Sequence, residues 1–255
     1  MLLLLPVHAQ ADFDHSAWDG LLKEHVRVIG GGIATQVDYS GMAADRGVLK
    51  AYLDEVAMVP RSTFDSWSSA AQLALLINVY NAYTVDVILE EYPDIDSIRD
   101  IGFFLSSAWN QKFASLFGEQ VTLDEIEHDM IRGWSRYQEP RIHFAVNCAA
   151  IGCPALRAEA YVGDKLEEQL EDSTKRFLSD RSRNYYDNGR MYISSIFDWY
   201  EEDFEQGWGG IDSVAEFLAG YVADLEVDMA VANQLRADDI RIRHLKYDWS
   251  LNDTQ

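Results

Sequence analysis

The sequence predicts an α+β fold in which a helical N-terminal part packs on a small, mainly antiparallel sheet. Apolar residues recur at helical spacing through the first third of the chain, strand-like segments are grouped behind them, and no strand–helix–strand repeat is present. With 48% hydrophobic and 12% aromatic residues among 255, the chain can form a substantial core. Because it contains no internal repeat and no linker-like tract, residues 12–255 are predicted to form a single domain.

Three helices are predicted in the first part of the chain, at residues 15–29, 48–59 and 68–92. The third covers the most apolar stretch and ends before Pro93, so it is expected to be long and buried. Asn78 and Asn81 lie inside it. Since buried amides need hydrogen-bond partners, we expect them to bind the backbone of neighbouring loops.

The later elements are predicted from capping and turn signals as well as from periodicity. Thr122 and Glu125 form a capping box that opens a helix reaching about residue 132. The two-residue turn Asn188-Gly189 predicts a hairpin over residues 185–194. The remaining predicted elements are strands at residues 141–146 and 240–247 and helices at residues 166–178 and 212–221.

The balance of charge excludes some classes of partner. The chain has 43 Asp and Glu residues against 21 Lys and Arg residues, a formal net charge of -22. Such a surface repels phosphate backbones and anionic lipid headgroups, so neither nucleic acid nor a membrane surface is expected as a partner. No apolar stretch after the N-terminus is long and uninterrupted enough to predict an integral membrane segment. The expected partner is a small molecule or an envelope protein of unknown identity, and no cofactor is predicted.

Residues 1–11 are predicted to be a truncated secretory signal peptide. A short apolar run precedes Ala9 and Ala11, which fit the small-residue pattern of signal-peptidase cleavage. The run is too short to span a bilayer, which needs about 20 apolar residues. The protein is therefore predicted to be exported, either periplasmic or secreted. Its two cysteines, Cys148 and Cys153, are an even number that permits one disulfide in an oxidising compartment.

The residues with the most chemical potential are concentrated between Arg141 and Pro154. If this segment begins as a strand, Arg141, His143 and Asn147 share one face of it. A strand that leads into a loop containing glycine and proline is a common position for a functional site. An imidazole and two thiols lie within a few residues of one another here, so His143 and Cys148 are the leading pair.

Five segments can be compared with a known family. They are INVYNA (Ile77 to Ala82), LDEIEHDMIR (Leu123 to Arg132), PRIHFAVNCAAIGCPAL (Pro140 to Leu156), SSIFDWYEEDF (Ser194 to Phe204) and YDWSLN (Tyr247 to Asn252). In order and spacing the chain resembles the family called domain of unknown function 547. The resemblance implies one coherent fold, but the family has no settled activity to carry over. Members often have a hydroxyl residue and a second proline around the Cys-Pro element, where this chain has Ala150 and Ala155. A role for that hydroxyl is therefore not carried over.

Three interpretations of the cysteine segment stay open. The first is a structural disulfide between Cys148 and Cys153. The second is a thiol nucleophile with His143 as its base, as in cysteine hydrolases and transglutaminase-like proteins. In that case the imidazole would be oriented by one of three residues: Asn78, Asn81 or Glu127. The third is a metal site made of His143 and both cysteines, with or without His128.

We predict a thiol-dependent hydrolase or acyl transferase with a papain- or transglutaminase-like fold and no bound metal. The alternative is a non-catalytic envelope binding or scaffold module stabilised by the Cys148–Cys153 disulfide, or a His/Cys zinc site. The predicted catalytic residues are Cys148, His143 and Asn81. The predicted binding residues are Glu127, His128, Arg132, Arg141, Asn147 and Cys153. The three charged or titratable residues Glu127, His128 and Arg132 are expected to form a wall beside the cysteine loop, with His128 and Arg132 one helical turn apart.

Overall fold

The structure is a computed structural model that describes residues 12–102, 106–133 and 135–254. The predicted signal peptide, residues 1–11, lies outside the described residues. The α-helices are α1 (Ser16–His25), α2 (Tyr39–Ala44), α3 (Arg46–Ala57), α4 (Arg61–Phe64), α5 (Ser69–Glu91), α6 (Leu166–Leu178), α7 (Ile196–Trp199), α8 (Glu201–Phe204), α9 (Val214–Ala219) and α10 (Met229–Arg236). The strands are β1 (Val26–Ile29), β2 (Ala34–Val37), β3 (Ala114–Leu116), β4 (Glu119–Val121), β5 (Tyr185–Asp187), β6 (Arg190–Ile193) and β7 (Arg241–His244). A π-helix at Glu125–Arg132 and a 3-10 helix at Pro140–Phe144 complete the site region. The α+β class is confirmed.

The long helix α5 is the centre of the fold, as its composition predicted. Ser68 caps it by accepting a hydrogen bond from the Ala71 amide, and it ends just before Pro93, which cannot continue a helix. Every residue from Ala71 to Leu89 is buried. Among the described residues, α5 is long and apolar enough to cross a membrane, yet its apolar window is wholly enclosed by the rest of the protein.

Within residues 12–102, 106–133 and 135–254, the strands form three small sheets instead of one. β1 pairs with β2 and β3 with β4, both antiparallel, while β5, β6 and β7 form a three-stranded sheet. The β5–β6 hairpin turns at Asn188-Gly189 with positive φ at both residues, 48° and 76°, as that turn requires. β7 runs parallel to β6. The antiparallel pairs predominate as expected, but alternation within a segment could not reveal which strand it would pair with.

One predicted helix is shorter than expected. The helix predicted over residues 15–29 ends at His25, and Val26–Ile29 forms β1. Val26, Val28 and Ile29 are β-branched, and such side chains favour an extended backbone. Pairing with β2, in the register Val26 opposite Val37, then decides the conformation.

The core is divided between two apolar clusters. The first surrounds α5 and α3. The second is built on five phenylalanines, Phe144, Phe177, Phe197, Phe204 and Phe217. The 3-10 helix Pro140–Phe144 contributes Ile142 to the first cluster and Phe144 to the second. The segment that carries the candidate site residues therefore lies where the two clusters meet.

Candidate active site

The predicted strand at residues 141–146 is wrong, because Pro140–Phe144 is a 3-10 helix. Glu139 caps it, its carboxylate accepting a hydrogen bond from the Arg141 amide at 3.1 Å. The proline at its first position has a φ suited to helix entry and lacks only an amide hydrogen that would be unpaired there. Arg141 and His143 consequently do not share a strand face with Asn147.

His143 is a buried base with one free nitrogen. Its side chain is 1% exposed, its Nε2 lies 2.6 Å from a carboxylate oxygen of Asp203, and its ring stacks on Tyr200 with 3.9 Å between centroids. Its Nδ1 is buried and has no hydrogen-bond partner among the described residues. Burial lowers the pKa of His143, and the bond to Asp203 does not reverse this effect. An ionised carboxylate only accepts hydrogen bonds, so Nε2 carries the proton and Nδ1 has the lone pair.

Asp203 joins His143 to a cation. Arg132 donates to both of its oxygens, from Nε at 2.5 Å and from Nη2 at 3.1 Å. Partial burial acts to raise the pKa of Asp203, but the hydrogen bonds from His143 and Arg132 outweigh it and hold the pKa well below its usual range. Asp203 is therefore ionised at neutral pH and can orient the imidazole.

The capping box and the helix after it are confirmed, but the helix is a π-helix and not the α-helix that the pattern indicated. The Thr122 amide donates to the Glu125 carboxylate at 2.8 Å, and the Glu125 amide donates to the Thr122 hydroxyl at 2.9 Å. His128 and Arg132 do lie on one face, because the Arg132 guanidinium contacts His128 Nδ1 at 2.7 Å. The helix is a π-helix, a geometry that is rare and frequent at functional sites.

Glu127 places a carboxylate in the same wall. It is 4% exposed and accepts a hydrogen bond from the Tyr200 hydroxyl at 2.7 Å. Burial, followed by the charge of Glu127, raises the pKa of Tyr200 and of the neighbouring Tyr80 well above the ordinary value. Both phenols therefore stay protonated and available as donors at neutral pH.

The sulfurs of Cys148 and Cys153 both contact the hydroxyl of Tyr247. Cys148 and Cys153 form a disulfide in the structure. The Tyr247 hydroxyl is 3.2 Å from Cys148 Sγ and 3.1 Å from Cys153 Sγ, and the Cys148 amide donates to Cys153 Sγ at 2.8 Å. Cys148 is half-buried, whereas Cys153 is only 4% exposed. Cys148 is therefore the sulfur more open to a reactant.

Buried amides hold the cysteine loop from below. Asn147 donates to the Pro154 carbonyl at 2.7 Å and so closes the loop. Asn81 accepts from the Asn147 amide at 2.8 Å and donates to the Ala145 carbonyl at 2.9 Å. Asn81 thus binds loop backbone, as expected for an amide of α5, and the side chain that contacts His143 is Asp203. Asn147, which was predicted to bind a ligand, likewise binds the backbone of the cysteine loop.

Arg183 and Gly152 fix the outer side of the loop. Arg183 donates to three successive carbonyls, those of Ile151, Gly152 and Cys153. A Cβ at position 152 would lie 2.9 Å from the Tyr247 ring and from the Asp248 carbonyl oxygen. Glycine is required there because Tyr247 must approach the loop closely to reach both sulfurs.

These groups face one cavity of about 270 Å³. The residues around it are Tyr80, Trp109, Asp124, Glu127, His128, His143, Val146, Cys148, Cys153, Pro154, Ile196, Trp199, Tyr200, Tyr247 and Trp249. The cavity thus brings together five of the predicted site residues, Glu127, His128, His143, Cys148 and Cys153. Such a concave, largely apolar space with a few convergent polar groups is the usual form of a small-molecule site.

Arg141 lies away from this cavity. Its guanidinium binds the carboxylates of Glu139, Glu167 and Glu171 at 2.6, 2.7 and 3.2 Å and lies over the Trp208 ring. Every side of the group is therefore occupied. The structure gives Arg141 a cluster of its own in place of a position in the site.

The geometry does not favour the predicted His/Cys metal set. Within the described residues, ligand atoms lie within 4.8 Å of one another at Glu24, His25 and Asp45, outside the cysteine segment. The sulfurs are instead occupied with each other and with Tyr247.

The fold and the cavity define an α+β protein with a cysteine pair beside a buried histidine–aspartate pair. Residues 64–178 match the family described as "Protein of unknown function, DUF547", which agrees with the resemblance carried by the sequence motifs. The segment contains His143, Cys148 and Cys153, whereas Asp203 and Tyr247 lie beyond it. Comparison with the curated proteins and with the solved structures found no match. The papain- or transglutaminase-like fold stays a prediction.

Sequence reasoning missed three contributors to the site: Tyr200, Asp203 and Tyr247. Asp203 and Tyr200 lie in the SSIFDWYEEDF motif, whose mixture of aromatic and acidic residues is typical of a helix with one buried and one solvated face. That segment forms two short helices, α7 and α8, which present Tyr200 and Asp203 to His143. Their presence in motifs that also resemble the family was the available signal.

Proposed function

We propose that the protein is a thiol-dependent acyl hydrolase or acyl transferase. Reduced Cys148 is the nucleophile, His143 is the general base, and Asp203 is the positioning residue that holds the imidazole. The observation that carries this proposal is that Cys148 and His143 line one cavity while Asp203 binds the far nitrogen of His143. Nucleophile, base and orienting acid are the three parts that such catalysis needs.

The disulfide must first be opened. A dithiol reductant exchanges with it, giving two protein thiols and the oxidised reductant. The His143 Nδ1 lone pair then accepts the Cys148 thiol proton, and the thiolate attacks the acyl carbonyl carbon. As the carbonyl re-forms, the bond to the leaving group breaks, and His143 returns the proton to that group. Water or an amine, deprotonated by His143, then releases the acyl group and restores the thiol.

A panel of activated esters, thioesters and amides tests the proposal, assayed with and without dithiothreitol. We expect activity to appear on reduction and to be abolished by Cys148→Ala. The matched variant Cys153→Ala leaves Cys148 unable to form this disulfide, so it should be active without reductant. Hydrolysis that persists unchanged in reduced Cys148→Ala would contradict the assignment of the nucleophile.

A second candidate is a non-catalytic binding or scaffold module. It is favoured by the bond between the sulfurs and by the occupation of Arg183 and Asn147 with the loop backbone. If no variant changes hydrolysis of any substrate in the panel, this second function replaces the first. Export remains part of both proposals, and detection of mature protein beginning near residue 12 in the periplasm or medium would support it.

A further inference from the structure

The mouth of the cavity is an aromatic surface. Tyr247 packs against Trp249 with 4.6 Å between ring centroids and against Trp199 with 4.8 Å, and Trp109 meets Trp249 at 5.9 Å. Trp199 is 46% exposed, although it belongs to this cluster and lines the cavity. An exposed indole that extends a cavity wall offers a flat, electron-rich face to a ligand.

The carboxylates that line the cavity give it a negative charge. Asp124 and Glu127 line the cavity, and none of the described residues that line it is lysine or arginine. The Arg132 guanidinium, which contacts His128 in the cavity wall, is bound to Asp203. The chain as a whole has a formal net charge of -22, which concentrates cations at its surface.

We propose that the cavity binds an organic cation, an ammonium group with apolar substituents, against the Trp199–Tyr247–Trp249 surface. Aromatic faces attract cations most strongly when the cation is weakly hydrated, as a substituted ammonium is. Asp124 and Glu127 supply the opposite charge. Arg99 already lies over the Trp249 ring at 5.3 Å, so this aromatic surface accepts a cation in the folded protein.

The cavity volume limits the ligand. A space of about 270 Å³ is below the usual range for drug-sized ligands, so it suits a cationic head with a short chain. For the acyl chemistry proposed above, the substrate would carry its cation a few bonds from the acyl carbon. Only this statement about the acyl substrate rests on the proposed function, since binding of the cation requires no thiol.

Calorimetric titration with choline and with its neutral isostere 3,3-dimethylbutanol tests the charge requirement. We expect choline to bind at least tenfold more tightly, and its affinity to decrease as salt concentration rises. Trp199→Leu should weaken choline binding at least tenfold and Asp124→Asn severalfold. Trp208→Leu, an indole outside the cavity, is the matched control and should bind choline as the wild type does.

Equal affinity for the two probes, or unchanged binding in Trp199→Leu, would overturn the inference. Cys148→Ala separates it from the proposed function, because that variant should still bind choline although it cannot hydrolyse esters. Hydrolysis without choline binding would refute the cation site alone. Choline binding without any thiol-dependent hydrolysis would refute the proposed activity alone.

Discussion

Arg141 and His143 lie two residues apart on one 3-10 helix, both are buried, and both contact carboxylates, yet their surroundings differ. The Arg141 cluster, made of Arg141 with Glu139, Glu167 and Glu171, has every donor direction occupied. The His143 cluster, made of His143 with Asp203 and Arg132, has one buried nitrogen in a cavity wall for which the described part of the chain offers no hydrogen-bond partner. Burial and charge therefore do not identify a site. A buried polar atom that lacks a hydrogen-bond partner and faces a cavity identifies a functional site more reliably.

The electrostatics of the two clusters follow from the same difference. Burial acts to lower the pKa of Arg141, but the hydrogen bonds that it donates to the Glu139 and Glu167 carboxylates outweigh this effect and raise the pKa. For His143, burial prevails over Asp203 and the pKa is lowered. One cluster thus keeps a permanent charge, which suits a structural anchor, while the other keeps a neutral base, which suits proton transfer.

The largest expected effect is on catalysis by the His143 cluster. Asp203→Asn would keep the size of the side chain but remove the charge that fixes the imidazole tautomer. We expect kcat/KM of the reduced protein to fall about a thousandfold or more. The exposed neighbour Glu202 on α8 provides the control, since Glu202→Gln should be within twofold of wild type. A loss of less than tenfold in Asp203→Asn would show that the aspartate is not needed for positioning.

The Arg141 cluster should respond in stability and not in activity. Arg141→Met leaves Glu139, Glu167 and Glu171 without their shared cation, and we expect it to destabilise the protein by about 3 kcal/mol in urea unfolding. Arg176→Met removes a partly exposed ion pair with Asp172 on α6 and should cost about 0.5 kcal/mol. If Arg141→Met folded normally but lost ester hydrolysis, the division between the two clusters would be wrong.

His15 is a third buried polar residue, and its effect on the free energy of unfolding at different pH values can be compared with that of His143. Burial lowers the pKa of His15 to about 4, and its Nδ1 bonds the Tyr52 hydroxyl at 2.8 Å. Between pH 6.5 and 4 the unfolded chain binds a proton at this position and the folded chain does not, so stability falls as pH is lowered through 6.5. The expected loss from His15 between pH 7 and 5 is about 2 kcal/mol.

Urea unfolding at several pH values measures this loss, and His15→Asn should flatten the dependence. His143 changes stability in the same direction because its pKa is also lowered. The Arg141 cluster should contribute little between pH 7 and 5, since its guanidinium stays charged and the lowered pKa values of Glu167 and Glu171 keep both carboxylates ionised in the folded protein. A wild-type stability that rises between pH 7 and 5 would contradict the assignment of neutral histidines.

The sequence predicted those parts of the molecule that depend on local signals. The long helix α5, the amphipathic helix α6, the capping box at Thr122 and the hairpin at Asn188-Gly189 all lie where propensity, periodicity and turn chemistry place them. His143 and Cys148 could be paired because they are five residues apart. Asp203 is 60 residues from His143, and only tertiary packing brings it into contact. The 3-10 helix at Pro140–Phe144 was missed for a related reason, since its cap and its packing between two clusters override an alternating pattern.

The smallest effect expected at the site itself concerns the disulfide, and it decides whether the cysteine loop resembles the Arg141 cluster or the His143 cluster. The cross-link spans a sequence separation of 5, so the chain-entropy account gives at most about 2 kcal/mol from opening it. Arg183 and Asn147 hold the loop backbone independently of the sulfurs, so the folded loop should survive reduction.

Urea unfolding of wild type with and without dithiothreitol measures this difference, with the Cys148→Ser, Cys153→Ser double variant as the redox-insensitive control. A loss of more than about 4 kcal/mol, or failure of the double variant to fold, would make the disulfide a structural staple, and the loop would then belong with the Arg141 cluster. A loss of 2 kcal/mol or less leaves a folded loop with a free Cys148 beside His143, which is the state that the proposed chemistry needs.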